Sequence, residues 1–403
     1  MPNDWQRNLD AIVDELASDI VQFRRHLHAH PEPSGEELAT SLEIYQRLGG
    51  AGLQTRLGPD GCGVIADSPD GARSSRVAFR ADIDALLIQD EKQVSYRSTC
   101  DGIMHACGHD AHSAIALGVA QGLIQLESRG QAPWPLAWRA IFQPSEETAA
   151  GARQMIAAGA LDGVRQIFAL HVDPARRVGE IGVRTGAFTA NCDDLLVTVH
   201  GRGGHGARPH ESRDPIAAAA QLISTLYQFV PRATNSLDAV VVSFGRLAGG
   251  QNSNVIPEHV ELGGTIRTLD SLVRSQTIDH VRRLARGVEE ISGTQIDVAF
   301  KASIPSVQND AQSTQQVAEV ARMVLGAASV QEIPRPSMGS EDFACYLEQV
   351  PGAMFRLGVA SNLEEITPLH TPRFDIDERA LALGVRILAG AVVLACRPAL
   401  AGP

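Results

Sequence analysis

The stretch IMHACGHDAH, residues 103–112, holds three histidines, one aspartate and one cysteine within ten positions. Thiolate, imidazole and carboxylate groups are the ligands that zinc and related divalent metals use in proteins. The same stretch also fits a cysteine nucleophile with a histidine base, or a polar loop around one buried thiol. Residues elsewhere in the chain must decide among these three interpretations.

Further polar side chains follow the strands that the sequence predicts. They are Asp82 and Asp84 in FRADIDAL, Glu146 and Glu147 in IFQPSEE, His171 in FALHVDP and His370 in PLHTPRF. Ligands of open α/β sheets bind beyond the carboxyl ends of the strands, so we expect these groups near the opening stretch. One glutamate of an adjacent pair can bind metal while the other takes a proton from water. The combination favours metal-dependent hydrolysis.

The elements that must position these residues are visible as apolar patterns. Helical spacing over residues 9–30 predicts a first helix, and Ser34 with Glu37 predicts a capping box for a second. The following segments alternate between strand and helix patterns: strands at 77–79, 136–142 and 166–170, and helices at 115–124 and 149–160. Such alternation predicts an α/β fold with a mostly parallel sheet covered by helices.

The pattern changes near residue 190. Up to about residue 305 the predicted order is β-α-β-β-α-β, which is typical of a ferredoxin-like unit. An α/β pattern then resumes and ends in a helix for which Asp375 and Glu378 predict a second capping box. We therefore predict a catalytic domain in two parts, residues 1–189 and 306–403, with an inserted domain at 190–305.

Composition excludes several classes of protein. The 403 residues carry a formal net charge of −12 with no run of Lys or Arg, which argues against nucleic acid and anionic membranes as partners. The six cysteines are scattered, which argues against a disulfide framework. The first ten residues lack a signal-peptide pattern, and Arg386 interrupts the longest apolar stretch. We therefore expect a cytoplasmic protein that does not cross a membrane.

Nine motifs then carry a family resemblance in a fixed order. They are IVQFRRHLHAHPEPSGEE, RADIDAL, MHACGHDAH, QPSEE, ALHVDP, GGHGARPH, NVIP, MGSEDFA and LHTPRFDIDERAL. From about residue 10 to residue 395, the chain resembles the metal-dependent amidohydrolases of the aminoacylase, hippurate hydrolase and plant indoleacetyl-amino-acid hydrolase group. The resemblance implies hydrolysis of the amide bond of an N-acylated amino acid. A dipeptidase or carboxypeptidase with the same chemistry is the alternative.

The resemblance also implies a centre of two divalent metal ions. Zinc is favoured, and manganese, nickel or cobalt would also suit the donors. The implied ligands are Cys107, His109, Glu147, His171 and His370. Glu146 corresponds to the family's general base and later acid. Asp82 and Asp84 lie where related peptidases carry a ligand histidine and an orienting aspartate; the histidine is replaced here, and we expect both aspartates to orient a ligand or accept its N–H. His105, His112, His200 and His210 are expected to be structural or to support the ligands.

In such enzymes the inserted domain is a lid and often a dimer surface, so we expect a homo-oligomer, either a dimer or a tetramer. His205 in GGHGARPH matches the family's histidine for the oxyanion of the scissile carbonyl. Asn254 and Arg267 match positions that bind the substrate carboxylate or polarise the carbonyl. A non-catalytic binding protein on this fold would be expected to lack Glu146.

Overall fold

The structure is a computed structural model that describes residues 4–69 and 75–398. Its helices are α1 (Asp4–Ala29), α2 (Leu38–Gly50), α3 (His109–Ser128), α4 (Gly151–Ala157), α5 (Pro215–Ala233), α6 (Ser271–Ser292), α7 (Ala311–Leu325), α8 (Ala344–Leu347) and α9 (Arg379–Ala395). Its strands are β1 (Gln54–Leu57), β2 (Val64–Asp67), β3 (Arg76–Asp82), β4 (Trp138–Gln143), β5 (Val164–Arg177), β6 (Ile181–Val183), β7 (Gly186–Ala187), β8 (Asn191–His200), β9 (Gly204–His205), β10 (Val240–Ala248), β11 (Val255–Ile256), β12 (His259–Thr268), β13 (Gln295–Ile304), β14 (Gln308–Asn309), β15 (Val330–Glu332) and β16 (Gly352–Ala360).

The chain divides into two compact units. The larger unit holds the residues up to Gly186, residues 308–334 and the residues from Asp342 onward, and the smaller unit holds residues 187–307 and 335–341. Residues 335–341 belong to the smaller unit although the residues on either side of them belong to the larger unit, and no sequence pattern predicted this. Among the described residues, no helix combines the length and apolar character that crossing a bilayer requires.

An eight-stranded sheet forms the centre of the larger unit, in the order β1-β2-β4-β3-β5-β16-β6-β15. Its central strands β4, β3, β5 and β16 are parallel neighbours. Helices α1, α3 and α9 contact one another, and α3 and α9 also contact the central strands. The prediction of an α/β fold with a large, mostly parallel sheet and covering helices is confirmed.

Helix α3 carries residues of the candidate site at its amino end. It is apolar over most of its length, and Ile115, Val119 and Leu123 are fully buried in the core. The helix is longer than the predicted 115–124 because it begins at His109, directly after Gly108. Because α3 is buried on nearly all sides, its sequence lacks the periodic polar positions from which the extent of a helix is predicted.

The capping box predicted for α2 is wrong. The helix begins at Leu38, and the side chain of Glu37 forms no capping hydrogen bond within the described chain. Instead, the hydroxyl of Ser34 donates to Asp84 Oδ2 at 2.7 Å, and the Glu37 carboxylate accepts from Ser145 N at 2.8 Å. Both side chains are engaged by partners distant in sequence.

The capping box predicted for α9 is wrong for a similar reason. The helix begins at Arg379, whose N–H donates to Asp377 Oδ1 at 3.0 Å, and the side chain of Glu378 makes no capping hydrogen bond. Asp375 and Glu378 instead accept from the fully buried guanidinium of Arg24, at 2.7 and 3.3 Å. The same guanidinium binds Asp110 Oδ2 at 2.7 Å, and both side chains are 0% exposed. A buried arginine needs carboxylate partners, and Asp375 and Glu378 supply two of them.

The smaller unit contains a four-stranded antiparallel sheet in the order β10-β12-β8-β13. Its elements follow one another as β8-α5-β10-β12-α6-β13, apart from short strands in the loops. Helices α5 and α6 contact each other and the sheet, and their apolar residues form the core of this unit.

Candidate metal centre

The five predicted ligands lie together in the larger unit. Cys107 Sγ is at their centre, 3.5 Å from His171 Nε2 and 3.3 Å from His370 Nε2. Glu147 Oε1 lies 3.4 Å from His370 Nε2 and 3.9 Å from His109 Nε2. Segments that are up to 263 residues apart in sequence thus bring a thiol, three imidazoles and a carboxylate within reach of common ions.

Gly108 makes the local turn between the first two ligands. Its φ of +87° lies in the left-handed region, and a Cβ built on it would lie 2.5 Å from Val172 Cγ2. Only glycine fits such a position without strain. The turn allows Cys107 to end the loop and His109 to begin α3, so that both side chains reach the same cluster.

The ring nitrogens of two histidines are arranged as metal ligands require. His109 Nδ1 lies 3.0 Å from the carbonyl oxygen and 3.1 Å from Oδ1 of Asp84. Its buried Nε2 has no hydrogen-bond partner among the described residues. His171 Nδ1 donates to the carbonyl of Val172 at 2.8 Å. An acceptor at one ring nitrogen leaves the lone pair of the other nitrogen for a metal, so these residues fit a metal centre.

Charge in the cluster also fits a bound cation. Burial raises the pKa of the Cys107 thiol far above its usual value, so without a cation the thiol is a poor nucleophile. Burial disfavours the charged form of His109, but Asp82, Cys107 and Asp84 together outweigh burial and raise the His109 pKa well above the usual value. Burial lowers the pKa of His171. Divalent metals bind the deprotonated forms of thiol and imidazole, so a cation would replace the protons of Cys107 and His109.

His112, which we predict to be structural or to support the ligands, is adjacent to the cluster and lies close to Asp82 and His109. Its Nδ1 lies 2.6 Å from Asp82 Oδ1, and its Nε2 accepts from the backbone N–H of Val172 at 3.0 Å. Both ring nitrogens are therefore occupied. Asp82 also accepts from Arg80 at 2.5 Å. These contacts support the predicted orienting roles of Asp82 and Asp84, and a structural role for His112.

Glu146 lies in the turn that follows β4, directly before the predicted ligand Glu147. One oxygen or nitrogen atom from each of His109, Glu146 and Glu147 lies within 4.8 Å of the others. The backbone N–H of Asp342 donates to Glu146 Oε1 at 3.4 Å. A half-buried carboxylate beside the ligand atoms has the position that a general base needs.

Three predicted substrate-binding residues belong to the smaller unit. His205 is exposed on β9, which pairs with β11 so that His205 lies opposite Val255. The carbonyl oxygen of the exposed Asn254 accepts from Gly206 N at 2.8 Å. Arg267 on β12 donates from Nη1 to the carbonyl of Met338 at 2.8 Å. Their roles toward a substrate stay predictions.

Sequence reasoning missed several residues that support the site. Ser34 and Glu37 were assigned to a helix cap, and the importance of Asp342 was not recognised. Asp342 is buried and accepts from Gln143 Nε2 at 2.8 Å and Arg80 Nη2 at 2.7 Å. The motifs HPEPSGEE and MGSEDFA contain these residues, but the sequence does not reveal their distant partners.

Comparison with known proteins places this geometry in a family. The model of peptidase family M20/M25/M40 matches residues 78–393. A probable hydrolase, sll0100, of Synechocystis is 41% identical over 379 residues, covering 94% of this chain and 95% of the relative. An N-acetylcysteine deacetylase of Bacillus subtilis is 39% identical over 378 residues, covering 93% of this chain and 96% of the relative.

Solved structures agree with this assignment. The YXEP protein of Bacillus subtilis, described as a dinuclear metal binding peptidase from the M20 family, superimposes with a TM-score of 0.79 at 36% identity. The match covers 95% of this chain and 99% of that one. The family resemblance found in the sequence motifs is thereby confirmed. The chain belongs to peptidase family M20/M25/M40 and is a metal-dependent amidohydrolase of that family.

Proposed function

We propose that the protein hydrolyses the amide bond between an acyl group and the nitrogen of an amino acid. The observation that carries the proposal is the carboxylate of Glu146 beside a cluster of five metal-binding side chains. The deacetylase activity that its Bacillus subtilis relative is named for supports N-acylated amino acids as the substrate class. Dipeptide hydrolysis is the second candidate, since the same groups would cleave a peptide bond.

Two divalent metal ions would be held by Cys107, His109, Glu147, His171 and His370. Mixed sulfur, nitrogen and oxygen donors favour zinc, and manganese, nickel or cobalt also suit them. When bound, the metal ions would supply Lewis acidity, polarising the substrate carbonyl and lowering the pKa of water.

The chain's own residues supply proton transfer. The Glu146 carboxylate takes a proton from the attacking water and later gives it to the nitrogen of the leaving amine. The Asp342 N–H, 3.4 Å from Glu146 Oε1, restrains one oxygen of this carboxylate. Asp84 accepts from His109 Nδ1 and so keeps Nε2 of that ring directed at the cluster.

Roles for the smaller unit are also part of the proposal. His205 would donate to the oxyanion that forms from the carbonyl, and Asn254 and Arg267 would bind the substrate carboxylate. The inserted domain at 190–305, with catalytic segments 1–189 and 306–403, would serve as the lid and dimerisation domain. These assignments are supported by the match of their motifs to the family. The homo-oligomer and the cytoplasmic location stay predictions.

A substrate panel combined with metal exchange tests the proposal. Protein stripped with a chelator is reloaded with zinc, manganese, cobalt or nickel, and amino acid release is measured from N-acetyl, N-benzoyl and indoleacetyl amino acids and from dipeptides. We expect the stripped protein to be inactive and a reloaded form to cleave at least one N-acylated substrate. Cleavage of dipeptides alone would favour the second candidate.

The same preparations test whether Cys107 is instead a nucleophile. Activity that survives chelation but disappears on thiol alkylation would contradict a metal-dependent mechanism, whereas loss on chelation with recovery on metal addition supports it. Metal content of each preparation is measured in parallel by elemental analysis, so that activity is expressed per bound ion.

A further inference from the structure

We propose that Glu37 is a positioning residue for the turn that carries Glu146 and Glu147. The inference rests on the proposed function for the role of Glu146. Glu37 lies between α1 and α2, 108 residues before Ser145, and its side chain is fully buried. The turn immediately after β4 begins with Ser145 and continues through both glutamates.

The backbone of this turn needs an external restraint. Ser145 has a φ of +55°, although it is not glycine. A residue with a Cβ enters this left-handed region only where its surroundings hold it there. Because Ser145 directly precedes Glu146, a change in its backbone angles would displace both carboxylates.

The Glu37 carboxylate provides that restraint. Its Oε1 accepts from Ser145 N at 2.8 Å and lies 3.4 Å from Ser145 Oγ. Its Oε2 accepts from Gly35 N at 2.9 Å, which fixes the carboxylate itself. The side chain is thus committed to the turn and does not cap α2; the carboxylate of Glu32 instead accepts from Ala39 N at 3.0 Å and Thr40 N at 2.7 Å in the first turn of α2.

A second contact holds the other end of the same turn. Ser34 Oγ donates to Asp84 Oδ2 at 2.7 Å, and that oxygen also accepts from Glu147 N at 3.0 Å. Residues 34–37 therefore restrain the turn at Ser145 directly and at Glu147 through Asp84. Glu146 lies between the two restrained positions.

The isosteric variant Glu37→Gln tests the restraint. An amide has one acceptor oxygen, so it cannot accept from both Ser145 N and Gly35 N as the carboxylate does. We expect kcat and zinc affinity to fall about 10–100-fold, the usual range for losing a group that orients a ligand, with a smaller change in KM. Glu36→Gln is the matched control, because Glu36 is the exposed neighbour.

A double variant separates positioning from a merely structural role. Glycine adopts a positive φ without strain. We therefore expect the double variant Glu37→Gln/Ser145→Gly to have a kcat or a zinc affinity at least threefold higher than that of Glu37→Gln alone. Loss of helix stability at α2 would not be repaired by a glycine 108 residues away. If Glu37→Gln is unfolded in the assay, Glu37→Asp replaces it, with the same rescue expected from Ser145→Gly.

The outcomes are decisive in each case. The inference would be overturned if Glu37→Gln had the same kcat and the same zinc affinity as Glu36→Gln. It would also be overturned if the loss of kcat and zinc affinity in Glu37→Gln were unchanged in the double variant. If the wild-type protein cleaves none of the N-acylated substrates, the proposed function fails. The zinc titration then still decides whether Glu37 positions Glu147, because it requires no substrate.

Discussion

Replacing Gly108 by alanine is the most direct test of how the metal centre is built. Gly108 lies between the ligands Cys107 and His109 with a φ of +87°, and a Cβ would be 2.5 Å from Val172 Cγ2. Gly102 offers a matched control in the same loop region. Its φ is +75°, but a Cβ there would meet no described atom within 4 Å.

Gly108→Ala and Gly102→Ala both place an alanine at a positive φ, but only Gly108→Ala also introduces a steric overlap. A left-handed backbone costs an alanine about 1–2 kcal/mol, and this is the whole loss of unfolding free energy expected for Gly102→Ala. Gly108→Ala adds an overpacking cost of about 1–3 kcal/mol against Val172. The expected total for Gly108→Ala is therefore about 2–5 kcal/mol. Relief of the overlap would displace Cys107 or His109, so zinc affinity is expected to fall by about 10-fold or more.

Urea unfolding of chelator-treated protein gives the free energies, and competition with a zinc-binding dye gives the affinities. Both variants are compared with the wild type at the same pH and salt concentration. If Gly108→Ala is no less stable than Gly102→Ala, the overlap with Val172 is not restrictive. If its zinc affinity also equals that of the wild type, the argument that this turn sets the geometry of the two ligands is refuted.

Two further variants and one control test the base and the buried charges. Glu146→Gln is expected to keep its zinc content and lose at least about 100-fold in kcat, and turnover close to that of the wild type would exclude Glu146 as the base. Arg24→Met leaves the buried Asp110 carboxylate without its guanidinium and is expected to destabilise the protein by about 3–5 kcal/mol. Arg129→Met removes the exposed pair with Glu15 and should cost much less stability than Arg24→Met, because exposed ion pairs are screened by solvent; equal losses of unfolding free energy in urea would contradict this contrast.

Periodicity and strand ends were sufficient to predict much of the larger unit. The helix predicted over 9–30 is α1, and the strand predicted at 77–79 lies within β3. Because parallel strands place their carboxyl ends at one edge, Asp82 and His171 could be expected near the histidines of α3. The boundaries of α3 were not predictable in this way, since its first residues are polar ligands and its remainder is buried on nearly every side.

Local rules failed where a side chain has a distant partner. Ser34 and Glu37 satisfy the spacing of a capping box, but their partners are 50 and 108 residues away. The positive φ of Ser145 could not be predicted from the sequence, because a left-handed backbone is normally indicated by a glycine and not by a serine. A single sequence contains the spacing but not these contacts.

The failed caps nevertheless have a common physical meaning. Asp375 and Glu378 bind Arg24 while Asp377 binds the first N–H of α9, and Arg24 binds Asp110, the residue next to the predicted ligand His109. Glu37 likewise holds the turn of the paired glutamates, while Glu32 binds the first N–H groups of α2. In both places the carboxylate predicted to cap the helix is used near a predicted ligand, and a different carboxylate binds the start of the helix. Local inconsistencies of this kind are expected at functional sites, and here both of them lie beside residues that we propose to bind metal.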